Sequence, residues 1–203
     1  MNIFTSIFDT CFPPRESAKL LLNVHAELWG KQHQPRQWKQ CTCLAVYAEP
    51  VVKAAIAENK FYANRTATNL LVTLLRQWNE EHGSTVTYFV PVPLSKVRQR
   101  SRGHNQVEAV LRVVVPNQQI VSNALVRPID TPPQTSLTRE ARAHNMSGAF
   151  TCSHTQIKTL PPAAHIVLVD DVITTGATMG AAKAALSPHL LSTQRLTCVA
   201  FAH

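Results

Sequence analysis

Acidic residues are scarce in this chain: 12 Asp and Glu stand against 20 Lys and Arg, a formal net charge of +8 with the nine histidines counted neutral. That deficit suits polyanionic partners, nucleic acid or phosphorylated metabolites, and does not choose between them. Long apolar runs are missing too. No stretch approaches the roughly 20 continuous apolar residues that a membrane span needs, so no membrane partner is expected. The opening MNIFTSIFDTCFPP carries Ile3, Phe4, Ile7, Phe8 and Phe12 at helical spacing. It has no basic leader, and Asp9, Pro13 and Pro14 cut it short, so it reads as a packed amphipathic helix in a cytoplasmic protein. Cysteines are few, odd in number and scattered (Cys11, Cys41, Cys43, Cys152, Cys198), which excludes a disulfide framework. Cys41-x-Cys43 has no second pair at zinc-ligand spacing, so structural zinc is not expected and no residue is assigned as a metal ligand. There is no internal repeat and no low-complexity tract.

What is present is enough apolar residue, 45% of 203, for one real core with a small appendage. Residues 1–40 are expected to form a helical N-terminal arm, with Leu20, Leu21, Leu22, Val24 and Leu28 as one apolar stripe. The polar, proline-containing QHQPRQWKQ marks a boundary before a second unit at 41–203. CTCLAVYAE reads as a strand. Pro50 suits the first turn of a helix, and Asn64 suits the cap of a longer one with Leu70, Leu71, Leu74, Leu75 and Trp78 on one face. STVTYFVPVPLS is a strand ending in a rigid proline turn, NQVEAVLRVVV a helix, and QQIVSNALV an extended segment. The last third repeats strand, loop, helix, strand. Continuous apolar strands alternating with helices predict an α/β fold: a mostly parallel sheet covered on both faces.

Chemistry concentrates in HIVLVDDVITTGATMGAAKAAL, residues 165–186. A strand runs into Asp170 and Asp171, then into a loop with Thr174, Thr175, Gly176 and Thr178 that feeds a helix. Gly176 permits a tight turn and close backbone approach, and amide groups at a helix start form a phosphate site. No lysine follows the glycine, so a Walker-type triphosphate loop is disfavoured. Two carboxylates are strong acceptors for paired hydroxyls, so acid pair and phosphate cradle together match a ribose 5-phosphate. Taken alone, two acids are more economically a strand end and a helix cap. Lys96, Arg98, Arg100 and Arg102 follow PVPLS at alternate positions, which in an extended segment puts all four on one side. His104 reads as a packing residue.

VLVDDVITTGAT resembles the phosphoribosyl pyrophosphate (PRPP) motif of type I phosphoribosyltransferases. VPVPLSKVRQRSRGHNQ and DTPPQTSLTREARAHNMSGAF resemble the other signature stretches of the ComF family of competence-associated phosphoribosyltransferase-like proteins. The resemblance covers about residues 41 to 203, in a form without the N-terminal zinc module of many relatives. It implies a type I phosphoribosyltransferase fold and Mg²⁺ bound with PRPP. It gives Asp170 and Asp171 the catalytic and ribose-binding role, and Thr174, Thr175, Gly176 and Thr178 the 5-phosphate. Pro93, Ser95, Arg102, Gly103, Asn105 and Gln106 form the pyrophosphate loop and RGxNQ element, and Gln134, Arg139, Arg142 and Asn145 a flap over PRPP. Phosphoribosyl transfer, in competence (DNA uptake) or nucleotide salvage, is the implied function. Two alternatives stand beside it: a non-catalytic PRPP- or nucleotide-binding regulator, and an accessory that binds single-stranded DNA or competence proteins. The weak aromatic content of the basic stretch counts against the latter.

Overall fold

Strands β2 (Cys41–Ala45), β3 (Thr87–Pro91), β6 (His165–Val172) and β7 (Arg195–Ala202) are built almost wholly of apolar and β-branched residues, the composition of strands buried on both faces. In the computed structural model, which describes residues 15–128 and 148–203, they run parallel in the order β2-β7-β6-β3. A short strand β1 (Arg36–Trp38) caps the β2 edge antiparallel, and β4 (Leu125–Val126) pairs with β5 (Thr151–Cys152) in a separate two-stranded ribbon. Eight α-helices lie among the described residues: α1 (Glu16–Leu21), α2 (Ala26–Gln32), α3 (Pro50–Tyr62), α4 (Arg65–His82), α5 (Lys96–Arg102), α6 (Gln106–Val114), α7 (His154–Lys158) and α8 (Ala177–Leu186).

The period of two divides the core. Val167, Val169, Val199 and Phe201 point to the layer of α1, α2, α3, α4 and α6. Ile166, Leu168, Cys198 and Ala200, from the same strands, point to the layer of α7, α8 and the ribbon. The sheet is thus covered on both faces, as the continuous apolar strands predict. Neighbouring strands β3 and β6 feed helices on opposite faces, α6 and α8, and that divergence opens a crevice beyond their carboxyl ends.

Local chemistry explains the helix limits. Pro50 opens α3. The Asn64 side chain accepts from the amides of Thr66 and Ala67 at 2.9 and 3.2 Å, capping α4. Its amide also donates to Glu58 Oε2 at 3.1 Å. Asn64→Ala is therefore expected to cost about 1 kcal/mol or more, read as a lower urea midpoint with an unchanged slope.

Several local expectations are corrected. The single stripe through residues 17–31 is two helices broken at 22–25. Leu20, Leu22 and Leu28 are exposed, and Leu21 and Trp29 are the large buried anchors, packed in the layer of α3 and α4. The polar stretch before residue 41 contains β1, whose Trp38 pairs with Cys41, so the sheet begins at Arg36. QQIVSNALV is extended only in part: Asn117–Gln119 forms a 3₁₀ turn and Ile120 bridges to Phe89. The amphipathic segment expected at residues 3–12 lies outside the described residues.

No helix is long and apolar enough to cross a membrane among the described residues.

Candidate functional site

The carboxyl ends of β3 and β6 and the residues just after β2 frame a cleft of about 370 Å³, walled by α3 and α5 and by the loop ahead of α8. Asp170 and Asp171 both line it, yet they lie inside β6, not beyond its buried part: Asp170 pairs with Ala200 in the sheet register, and Asp171 is 8% exposed. Adjacent positions on a strand face opposite ways. Asp171 therefore meets the α3 and α6 layer, and Asp170 the α8 layer.

Asp171 is fully engaged. Its Oδ2 accepts from Gln106 Nε2 at 2.7 Å and lies 2.8 Å from Lys60 Nζ, and its Oδ1 accepts from the Val172 amide at 2.7 Å. Burial alone raises this carboxyl's pKa, but the Lys60 ammonium and these hydrogen bonds outweigh it and hold it below the ordinary carboxylate value. Asp170 has only the Asp171 amide, at 2.8 Å, as a hydrogen-bond donor among the described residues. Burial first, and then the like charge of Asp171, push its carboxyl up to about 7. One carboxyl is held ionised by internal partners and the other keeps its proton up to about pH 7.

The threonine loop follows at once. Thr174 and Thr178 line the cleft, and Thr175 and Gly176 complete a small adjoining niche at the start of α8. Gly176 has φ +84°, and a Cβ there would stand 3.2 Å from the Trp38 ring. The positive φ favours glycine, and the Trp38 ring leaves little room for a Cβ. From behind, Lys39 Nζ donates to the Thr175 carbonyl at 2.8 Å, so the β1–β2 turn props the loop.

Opposite the acids, Lys96–Arg102 is a helix, not an extended run, because Ser95 caps it (Arg98 amide to Ser95 Oγ, 3.4 Å) and Gly103 ends it at φ +74°. Helical spacing splits the four cations. Arg98 and Arg102, one turn apart, line the cleft with Pro93, whereas Lys96 and Arg100 line a neighbouring groove of about 410 Å³. Burial pulls the Arg102 pKa below its ordinary value, partly offset by Asp171, and its buried Nη1 has no hydrogen-bond partner among the described residues. Gln106, 2% exposed, likewise has an Oε1 at the cleft wall with no partner among the described residues. Such unpaired buried atoms are costly in a folded protein unless a ligand meets them.

The structure thus brings Asp170, Asp171, Thr174, Thr178, Pro93, Arg102 and Gln106 to one cleft. Ser95, Gly103 and Asn105 serve it indirectly. Asn105 caps α6 with its side chain, accepting from the Val107 and Glu108 amides at 3.0 and 3.4 Å, and donates one amide hydrogen to the Val92 carbonyl at 3.1 Å. His104 Nδ1 donates locally to the Arg102 carbonyl, 2.9 Å away. Gln134, Arg139, Arg142 and Asn145 lie outside the described residues.

Cleft residues that the sequence reading did not single out include Lys60, Phe61 and Arg127. Lys60 had a signal. It stands at i+4 from Ile56 and i+8 from Val52, on the apolar stripe of α3, where a lone ammonium needs a partner.

The match to known proteins rests on sequence. No protein-family model matches the chain. Competence protein F of Haemophilus influenzae is 30% identical over 155 residues, covering 72% of this chain and 66% of that protein, about two thirds of its length. The chain belongs to the competence protein F family. In this member of the competence protein F family, the cleft is cationic on balance, with Lys60, Arg98, Arg102 and Arg127 around two carboxylates. It has the electrostatics to hold a multiply charged anion that also presents hydroxyls.

Proposed function

We propose that the cleft binds PRPP and transfers its phosphoribosyl group, in the manner of a type I phosphoribosyltransferase and in a competence-related role. The observation that carries this reading is the facing arrangement: an acid pair and threonine loop at the end of β6, across from Arg98 and Arg102 of α5. In that pose the α8 amides and Thr174, Thr175 and Thr178 take the 5-phosphate, and Asp170 accepts from the ribose hydroxyls. Arg102 and the Gln106 edge receive the pyrophosphate and hold its negative charge as it leaves C1. Asp171 orients the wall through Lys60 and Gln106 and adds negative charge near the developing oxocarbenium. The donor set fits Mg²⁺, since Asp170 is a hard-oxygen carboxylate short of a cation. When bound with PRPP, that ion would supply charge neutralisation for the pyrophosphate.

Incubating the protein with PRPP, Mg²⁺ and a panel of bases is expected to release pyrophosphate with at least one acceptor. Binding of PRPP by calorimetry without release for any acceptor would make the protein a regulator instead. A second reading has an observation of its own. The groove carrying Lys96 and Arg100 continues from the cleft through Pro93, Leu94 and Arg127, a shape that suits a single DNA strand.

A further inference from the structure

Behind the threonine loop, on the α8 side of the sheet, lies a second recess of about 220 Å³ whose walls include Trp38, Gly180 and Lys183 and two cysteines, Cys41 and Cys198. We propose that Cys41 and Cys198 are an oxidisable dithiol, converted to a disulfide by small hydroperoxides that enter through this recess.

Cys41 of β2 and Cys198 of β7 are direct partners in the parallel register. Both side chains face the α8 layer, and both are free thiols, 7% and 2% exposed. Neighbouring strands lie about 4.8 Å apart, inside the roughly 4.4–6.8 Å Cα separation that a disulfide spans. Cys43 is on the same face but opposite Ala200, and two steps along one strand separate it from Cys41 by about 6.6 Å, at the limit of that range. Cys152 is half-buried in the ribbon and does not line the recess.

The surroundings assign roles. The interaction of the two thiols with each other and the positive charge of Lys183 draw Cys198 below the ordinary thiol value, whereas the same interaction and burial push Cys41 up against Lys183. Lys183 is held at the recess by its 2.6 Å bond to Gln40 Oε1. Cys198 is accordingly the attacking thiolate. It displaces the leaving alkoxide or hydroxide of the peroxide, breaking the O–O bond and forming a sulfenic acid, and the departing oxygen takes the proton that Cys198 gave up. Cys41 sulfur then attacks the sulfenic sulfur, forming S–S and releasing water with the Cys41 proton. The dithiol loses two electrons and two protons, and the hydroperoxide is reduced to its alcohol and water. The recess has room for several water-sized molecules, about 30 Å³ each, so a small peroxide fits.

The test treats the full chain with one equivalent of hydrogen peroxide, blocks remaining thiols by alkylation and maps peptides by mass spectrometry. A Cys41–Cys198 link is expected as the first product, lost on dithiothreitol treatment, with Cys43 and Cys152 still alkylated. Cys41→Ala is expected to leave a sulfenic acid at Cys198, trapped by dimedone, whereas Cys198→Ala leaves Cys41 unreactive. Gly180→Leu, whose side chain grows from a position with no atom within 4 Å of a Cβ, fills the recess and slows the link while both thiols remain. A first link through Cys43 or Cys152, a first sulfenic acid at Cys41, or no oxidation of the wild-type chain would overturn the proposal.

Discussion

Replacing Arg102 by Ala is expected to lower PRPP affinity by about 10- to 100-fold, the worth of one charge-assisted hydrogen bond at roughly 1.5–3 kcal/mol. Lys96→Ala and Arg100→Ala are each expected to change it by less than about threefold, as for solvent-exposed charges. The contrast follows from α5. Arg98 and Arg102 share the face that lines the cleft, and Lys96 and Arg100 share the next one. An extended segment would have made all four equivalent, so calorimetric titration of the three single variants distinguishes the two geometries directly. The same variants, titrated with single-stranded DNA against salt, address the accessory reading. A DNA track along α5 gives a slope of about −0.7 per phosphate neutralised on a single strand, declining stepwise as Lys96, Arg98, Arg100 and Arg102 are removed. PRPP binding unaffected by Arg102→Ala would remove the cleft as the pyrophosphate site.

The acid pair offers the second large effect, because its two members should respond with opposite signs. Asp170 is raised to about 7 from an ordinary 3.8, so the folded state holds this proton more tightly than the unfolded chain. The stability this brings is complete below pH 4 and lost as pH rises through 7. At pH 8 the ionised Asp170 is a burden, and Asp170→Asn is expected to stabilise the protein by on the order of 1 kcal/mol or more, a gain that vanishes near pH 4. Asp171 is held low by Lys60 and Gln106. Asp171→Asn removes the charge from that network and is expected to destabilise by about 1.5–3 kcal/mol at neutral pH. Both variants should weaken ribose phosphate binding at least about tenfold. Thermal melts at pH 4 and pH 8, beside calorimetry with PRPP, read all of this. Destabilisation by Asp170→Asn at pH 8 would show that its carboxylate is already compensated. The pattern expected is one of stability given up at a binding site.

How much of this was legible in the sequence depends on whether a residue acts through local pattern or through the fold. The four parallel strands, the Pro50 and Asn64 starts and the Gly176 turn are local, and all stand where the pattern puts them. The order β2-β7-β6-β3 and the crevice between β3 and β6 are consequences of chain crossings that no local spacing encodes. Alternation in a basic run was misleading because a period of two, read without Ser95 as cap and Gly103 as stop, mimics a strand. The N-terminal stripe failed for a related reason: three adjacent leucines fit either helix phase, and only packing against α3 and α4 selects Leu21. Lys60 and Asp171 stand 111 positions apart in the sequence, and their ion pair exists only once α3 lies across β6.

Lys60 also has a neighbour that extends the site's reach. Two residues before it on α3, the buried Glu58 carboxylate accepts from Arg15 Nε and Nη2 at 2.9 and 2.8 Å and from Ser17 Oγ at 2.5 Å, and is held at about 2 chiefly by the Arg15 hydrogen bond. Arg15 is the residue before α1 and Ser17 lies in its first turn, so α1 is tied to the last turns of the helix that brings an ammonium to Asp171. A protease that clips ahead of α2, or a binding partner that peels α1 away, strands a buried anion two residues from the ammonium that meets Asp171.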